Sequence, residues 1–146
     1  MFVKYLVRIK KLLILHSLFN NINFLTMISL MHLKKGFLID PYFGTITETF
    51  IDATKGLEDY YSQLGCRSFD IANIDPNNDV YIDDEGMFSN TMFFSIEGYY
   101  QPLAGKGIVM GFEAETGESI STSLTLDEVK AKVKFHTIGQ VMEMVE

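Results

Sequence analysis

The stretch "GKGIVMGFEAETGES", residues 105–119, runs from a glycine-flanked lysine through an unbroken apolar centre into an acidic turn with Thr116 and Gly117 at its tip. A strand that stays apolar at consecutive positions is buried on both faces. "EAETGES" is then a hairpin-type turn, and "SISTSL" is the returning strand. The fold is therefore read as a sheet, and the neighbouring segments are fitted to it. Downstream, "TLDEVKAKV" has the T-x-x-E pattern of a capping box at Thr125 and Glu128 and reads as a short helix. "VKF" closes with one more strand, and residues 139–146 form a C-terminal tail.

Upstream, "TMFFSI" reads as a strand, and Val80 and Ile82 alternate with Tyr81 in another. "CRSFDIANI" alternates again, with Phe69 and Ile71 inward and Ala72 or Ile74 as further inward candidates. "DATKGLEDYYSQLGC" is the main helix. Asp52 or Thr54 caps its start, Leu57, Tyr60, Tyr61 and Leu64 recur at helical spacing, and Gly65 ends it. "TITETFI" is rich in threonine and β-branched residues, which suits a strand, and a hairpin across "DPYFG" joins it to the apolar run before Asp40. Strands outnumber helices, and the helices are single insertions rather than regular crossovers. The expected class is α+β, a mostly antiparallel sheet with one main helix and one short C-terminal helix.

Charge is unevenly spread over the 146 residues. Lys4, Arg8, Lys10, Lys11, Lys34 and Lys35 precede Asp40, and no acid does. From Asp40 onward six Lys and Arg face all 19 Asp and Glu, a balance of −13. Such a body repels nucleic acid, whose binding rests on neutralised phosphates, so no nucleic-acid partner is expected. It suits cation binding or docking onto a basic partner. Cys66 stands alone, so no internal disulfide forms, which fits a reducing cytoplasm.

The first thirty residues support several readings, which stay open. Lys10 and Lys11 followed by an apolar run begin a secretory signal, but His16 and three asparagines interrupt it and no small-residue cleavage site follows. The asparagines are also costly in a transmembrane helix. An amphipathic membrane-surface helix is one surviving reading. A spurious extension upstream of a start at Met31 is the other. The expected organisation is a basic apolar leader over 1–30, one α+β domain over 31–138 and a tail over 139–146. Membrane contact is expected only if the leader is genuine.

The body offers residues for several chemistries. From Asp75, the pattern Asp75, Asn77, Asp79 meets the first three ligands of a calcium loop. Val80 then stands at the required glycine and Gly86 at the bidentate glutamate, so an EF-hand is rejected. A looser divalent site on Asp79, Asp83, Asp84 and Glu85 remains as the alternative. As an acid–base pair they are disfavoured, since adjacent strand positions point to opposite faces, so Asp83 and Glu85 share one face and Asp84 takes the other. His16, His32 and His136 are scattered, which leaves a triad or zinc site without ligands. "LAGKGIVMG" matches neither phosphate-binding glycine pattern, since an apolar strand follows it. Arg67 and Lys106, with Tyr99 and Tyr100, are the candidate residues for a small-ligand pocket. No catalytic residue and no cofactor is assigned.

Taken in order, "LIDPYFGTITE", "YYSQLGCRSFDIANI", "DVYIDDEGMF" and "QPLAGKGIVMGFEAETGES" resemble the small phage and prophage proteins grouped as domain-of-unknown-function family thirty-eight forty-six. The resemblance covers residues 37–135. It implies a compact α+β domain carried on mobile elements, with no catalytic residues to transfer. The expected function is a non-enzymatic accessory protein in the host cytoplasm that binds a host protein or sequesters a small ligand. The alternative is a divalent-metal protein or small hydrolase using the acidic turn. Homo-oligomerisation is left open.

Overall fold

The computed structural model describes residues 2–18 and 24–146, which fall into two units, Met1–Leu33 and Lys34–Glu146. In the first, α1 (Phe2–Leu18) and α2 (Phe24–Leu30) line an apolar cavity of about 370 Å³. Among the described residues no helix is long and apolar enough to cross a membrane.

The second unit is built from strands. β1 (Leu33–Asp40) stops where Asp40 Oδ1 accepts the amides of Tyr42 at 2.9 Å and Phe43 at 3.4 Å, folding the chain into a turn. β2 (Thr45–Asp52) follows. Asp52 then caps only a 3-10 turn, Ala53–Lys55, by accepting the Thr54 amide. Gly56, at φ +62°, breaks the run, and α3 (Glu58–Leu64) starts afresh before Gly65 closes it. β3 (Phe69–Asp75) and β4 (Asn78–Asp83) make a hairpin, with Asp75 accepting the Asn77 amide in its turn. The remaining elements are α4 (Gly86–Ser89), β5 (Met92–Ile96), β6 (Leu103–Ala104), β7 (Gly107–Glu113), β8 (Glu118–Ile120), α5 (Leu126–Lys132), β9 (Val133–Thr137) and α6 (Ile138–Met144). Both C-terminal helices start on capping boxes, Thr125 with Glu128 and Thr137 with Gln140.

The strands do not form one sheet served by one main helix, which corrects the expected class. The described residues hold nine strands in two antiparallel sheets and six mostly short helices, 38% strand against 35% helix, and no helix dominates. The large sheet runs β2-β1-β7-β4-β3, with β8 beside the far half of β7; the small one runs β6-β5-β9. Two physical reasons underlie the difference. Gly56 divides the expected main helix, and a strand packed by a second sheet has the same alternation as a strand in the first.

β7 is the centre of the second unit. Ile108, Val109 and Met110 are all fully buried because successive side chains enter different cores. Val109 joins Phe37, Ile39, Val80, Phe94, Ile96 and Val129 between the two sheets and α5. Ile108 and Met110 join Ile51, Tyr60, Leu64 and Tyr81 under α3. Val141 of α6 covers Phe93 and Ala104 on the outside of the small sheet. The inward face of β3 is Ala72 and Ile74, while Ile71 is 48% exposed, the reverse of the expected phase. Phe69 does pack, against the cluster under α3, while Ile71 lies open on β3, the edge strand of the sheet.

Candidate functional site

Antiparallel pairing gathers several chain reversals at one end of the large sheet. Ile39 and Ile82 both face Gly107, so the end of β1, the end of β4 and the start of β7 lie together. The turn after β1, the acidic turn before α4 and the Gly105-Lys106 loop therefore share that end. Phe69 faces Asp83, which adds the 65–68 loop. The bonds between these segments are specific. Tyr42 donates its hydroxyl to Asn90 Oδ1 at 2.5 Å, Asn90 Nδ2 donates to the Gly86 carbonyl at 2.9 Å, and Lys106 lies 3.8 Å from Asp40.

Large apolar side chains stand out from this framework. Phe88 is 92% exposed, Phe43 81%, Met87 64% and Tyr42 46%. Single exposed hydrophobes need no explanation, but four on two segments clamped by one hydrogen bond form a patch. Exposed Asp84 and Glu85 and half-buried Asp83 directly precede α4, which gives the patch an acidic border.

Each residue singled out from the sequence has a definite place. Arg67 is exposed at this same end, and Lys106 is half-buried beside Asp40. β4 lies between their strands, so about 10 Å of sheet separates the two. Tyr99 and Tyr100 pair with ring centroids 4.9 Å apart, on a turn whose Gly98 abuts the Ile74 carbonyl near the opposite end of β3. The fold thus brings Arg67 and Lys106 to one end and sets the two tyrosines on another turn. The acidic residues separate similarly. Asp79 is buried at the start of β4, accepts Asn73 Nδ2 at 2.9 Å, and sits about 13 Å along the strand from Asp83. The strand ends at Asp83, so the alternating-face argument does not extend to Asp84 and Glu85. Asp83 accepts the Glu85 amide at 3.0 Å, and Asp84 accepts the Ser68 hydroxyl at 2.5 Å. Among the described residues no group of three or more His, Cys, Asp or Glu could hold a metal ion.

Two other polar clusters carry structural roles. Tyr60 stacks on Tyr81 with centroids 4.4 Å apart, and its hydroxyl lies 2.9 Å from Ser119 Oγ. Burial pushes both phenols above their ordinary range, so they stay neutral. His136 is buried, and its Nε2 lies 2.8 Å from Ser95 Oγ, which satisfies the ring between β5 and β9. Cys66 is half-buried. Its thiol is pushed up first by burial and then by Asp83 and Asp84, which keeps it in the unreactive form.

Asp40, Tyr42, Phe43, Met87, Phe88 and Asn90 were not singled out from sequence. The signal for one of them was present: an aromatic at the tip of a turn, where Gly, Asn, Asp and Ser usually stand, is out of place. The Tyr42–Asn90 bond spans 48 residues and leaves no local trace.

Residues 34–134, more than two thirds of the chain, match the family model described as Domain of unknown function (DUF3846). The chain belongs to that family. The matched range contains the whole aromatic patch and leaves out α1, α2 and α6. Among curated proteins, "Uncharacterized protein y4iR" of Sinorhizobium fredii (strain NBRC 101917 / NGR234) is 29% identical over 75 residues, 51% of this chain. The chain spans about half of that protein's length, 47%. No solved structure matches the chain.

Proposed function

We propose that this chain is a non-enzymatic binding module of phage or mobile-element origin, which docks a basic host protein in the cytoplasm through the Phe43–Phe88 surface. The observation that carries the reading is a clamped pair of exposed aromatic turns beside Asp84 and Glu85. Aromatic anchors supply most of the contact energy in protein interfaces, and a charged rim sets partner choice and encounter rate. The unit itself supports a cationic partner, since residues 34–146 carry eight Lys and Arg against 19 Asp and Glu. The rival reading, a divalent-metal protein or hydrolase on Asp79, Asp83, Asp84 and Glu85, has no comparable support, because Asp79, Asp83 and Asp84 already accept local hydrogen bonds and Asp79 lies far from the other three.

The test is capture from host lysate with the intact chain and two double variants, Phe43→Ser/Phe88→Ser and Asp84→Lys/Glu85→Lys. Both pairs are exposed, so circular dichroism should not change and the melting temperature should shift only slightly, through loss of the exposed Ser68–Asp84 bond. A basic protein retained by the parent, released by rising salt and lost with both variants supports the reading. Equal retention by all three chains overturns it, and so does a partner that is acidic or insensitive to salt.

A further inference from the structure

We infer that the first unit, Met1–Leu33, is an anchor that lies in the interface of an anionic phospholipid bilayer. On α1, Lys4, Arg8 and Lys11 recur at i, i+4 and i+7, which puts three cations on one face. Phe2, Leu6, Ile9 and Leu13 recur at the same spacing and centre on the opposite face. A helix on an ordinary protein surface hides its apolar stripe. Here Phe2 is 76% exposed, and Tyr5, Leu6 and Leu13 are about half exposed.

Charge selects the occupant. Residues 1–33 contain four Lys and Arg and no acid, a net positive charge that anionic headgroups attract. Length selects the mode. Seventeen residues rise about 25 Å against a hydrocarbon core of about 30 Å, and the cations interrupt the run, so the helix lies along the surface instead of spanning it. The cavity between Ile9, Leu12 and Leu13 on one side and Met27, Ile28 and Met31 on the other gives acyl chains an apolar recess. The remaining chain, at a net −11, is repelled by the same surface. Only the first unit should therefore be pulled in.

Flotation of the full-length protein tests this with two sets of vesicles, phosphatidylcholine alone and phosphatidylcholine mixed with phosphatidylglycerol. Flotation with the mixed vesicles only, reversed by high salt, is the expected result. Lys4→Glu/Arg8→Glu/Lys11→Glu should lower partitioning roughly a hundredfold, from about 1 kcal/mol for each cation near an anionic surface. Should that variant not fold, Leu6→Ser/Leu13→Ser keeps every charge and should also lose vesicle binding. Failure of the parent to float, equal flotation with both vesicle types, or parental binding by the triple variant each overturn the inference. None of these outcomes bears on Phe43 or Phe88, so anchoring and docking succeed or fail separately.

Discussion

Gly107→Ala is a single-methyl test of how the two sheets meet. Gly107 opens β7, and a Cβ placed there would fall 2.5 Å from Phe94 Cζ, 3.0 Å from Phe94 Cε1 and 3.1 Å from Val80 Cγ1. Phe94 and Val80 are fully buried in the core between the sheets, so neither has free space to move into. Restoring an ordinary contact needs a displacement of about 1 Å or more in a close-packed core, which costs about 2–3 kcal/mol. For a unit of this size the melting temperature should fall by about 4 °C for each kcal/mol, or about 8–12 °C in all. Urea unfolding followed by far-ultraviolet circular dichroism should show a lower midpoint at an unchanged slope. Phe94→Leu in the same chain should recover part of the loss, since the two residues share one volume and their effects are not additive. A Gly107→Ala loss below about 0.5 kcal/mol, or strict additivity with Phe94→Leu, would refute the packing account.

Stability should also decline in alkali. The phenols of Tyr60 and Tyr81 sit above their ordinary value of 10.0 in the folded chain, mainly through burial. Above about pH 10 the unfolded chain releases protons that the folded one keeps, so the stabilisation is whole below that pH and drains away above it. Tyr60→Phe should lower stability near neutrality by about 1 kcal/mol through loss of the Ser119 bond and should also flatten the alkaline decline; a parallel pH profile would contradict this. Tyr42→Phe leaves Asn90 without its aromatic donor and should cost about 1 kcal/mol. Hydrogen exchange in residues 86–90 should quicken, and unchanged exchange would show that the clamp is not structural. Thr125→Ala removes the capping box of α5 and should cost about 1 kcal/mol in urea unfolding, whereas Thr125→Ser should cost little.

What could be read from the sequence was local. The capping box at Thr125 and Glu128, the turn at Asp40 and the doubly buried run at 108–110 each depend on residues within a few positions of one another, and each is present. What could not be read was pairing at a distance. Whether β5 joins the large sheet or stacks on it depends on β6 and β9, one of which lies some forty residues away, and alternation is the same in either case. Ile71 lies open on β3, the edge of the large sheet, and strand order is something that periodicity does not contain. Gly56 was the missed local signal: a glycine near the start of an otherwise helical pattern allowed the helix to restart. The aromatic patch was hidden for the opposite reason to the core, since exposed residues obey no period at all.

The arrangement of β7 has a consequence for how such a protein can change. Its consecutive residues answer alternately to two cores, so one inserted residue would exchange their tenants throughout the strand. The strand is therefore closed to length variation. Phe43 and Phe88 stand on reversals outside every core, where a substitution disturbs no packing. On the proposed docking role, recognition drifts there while the frame that presents it stays still.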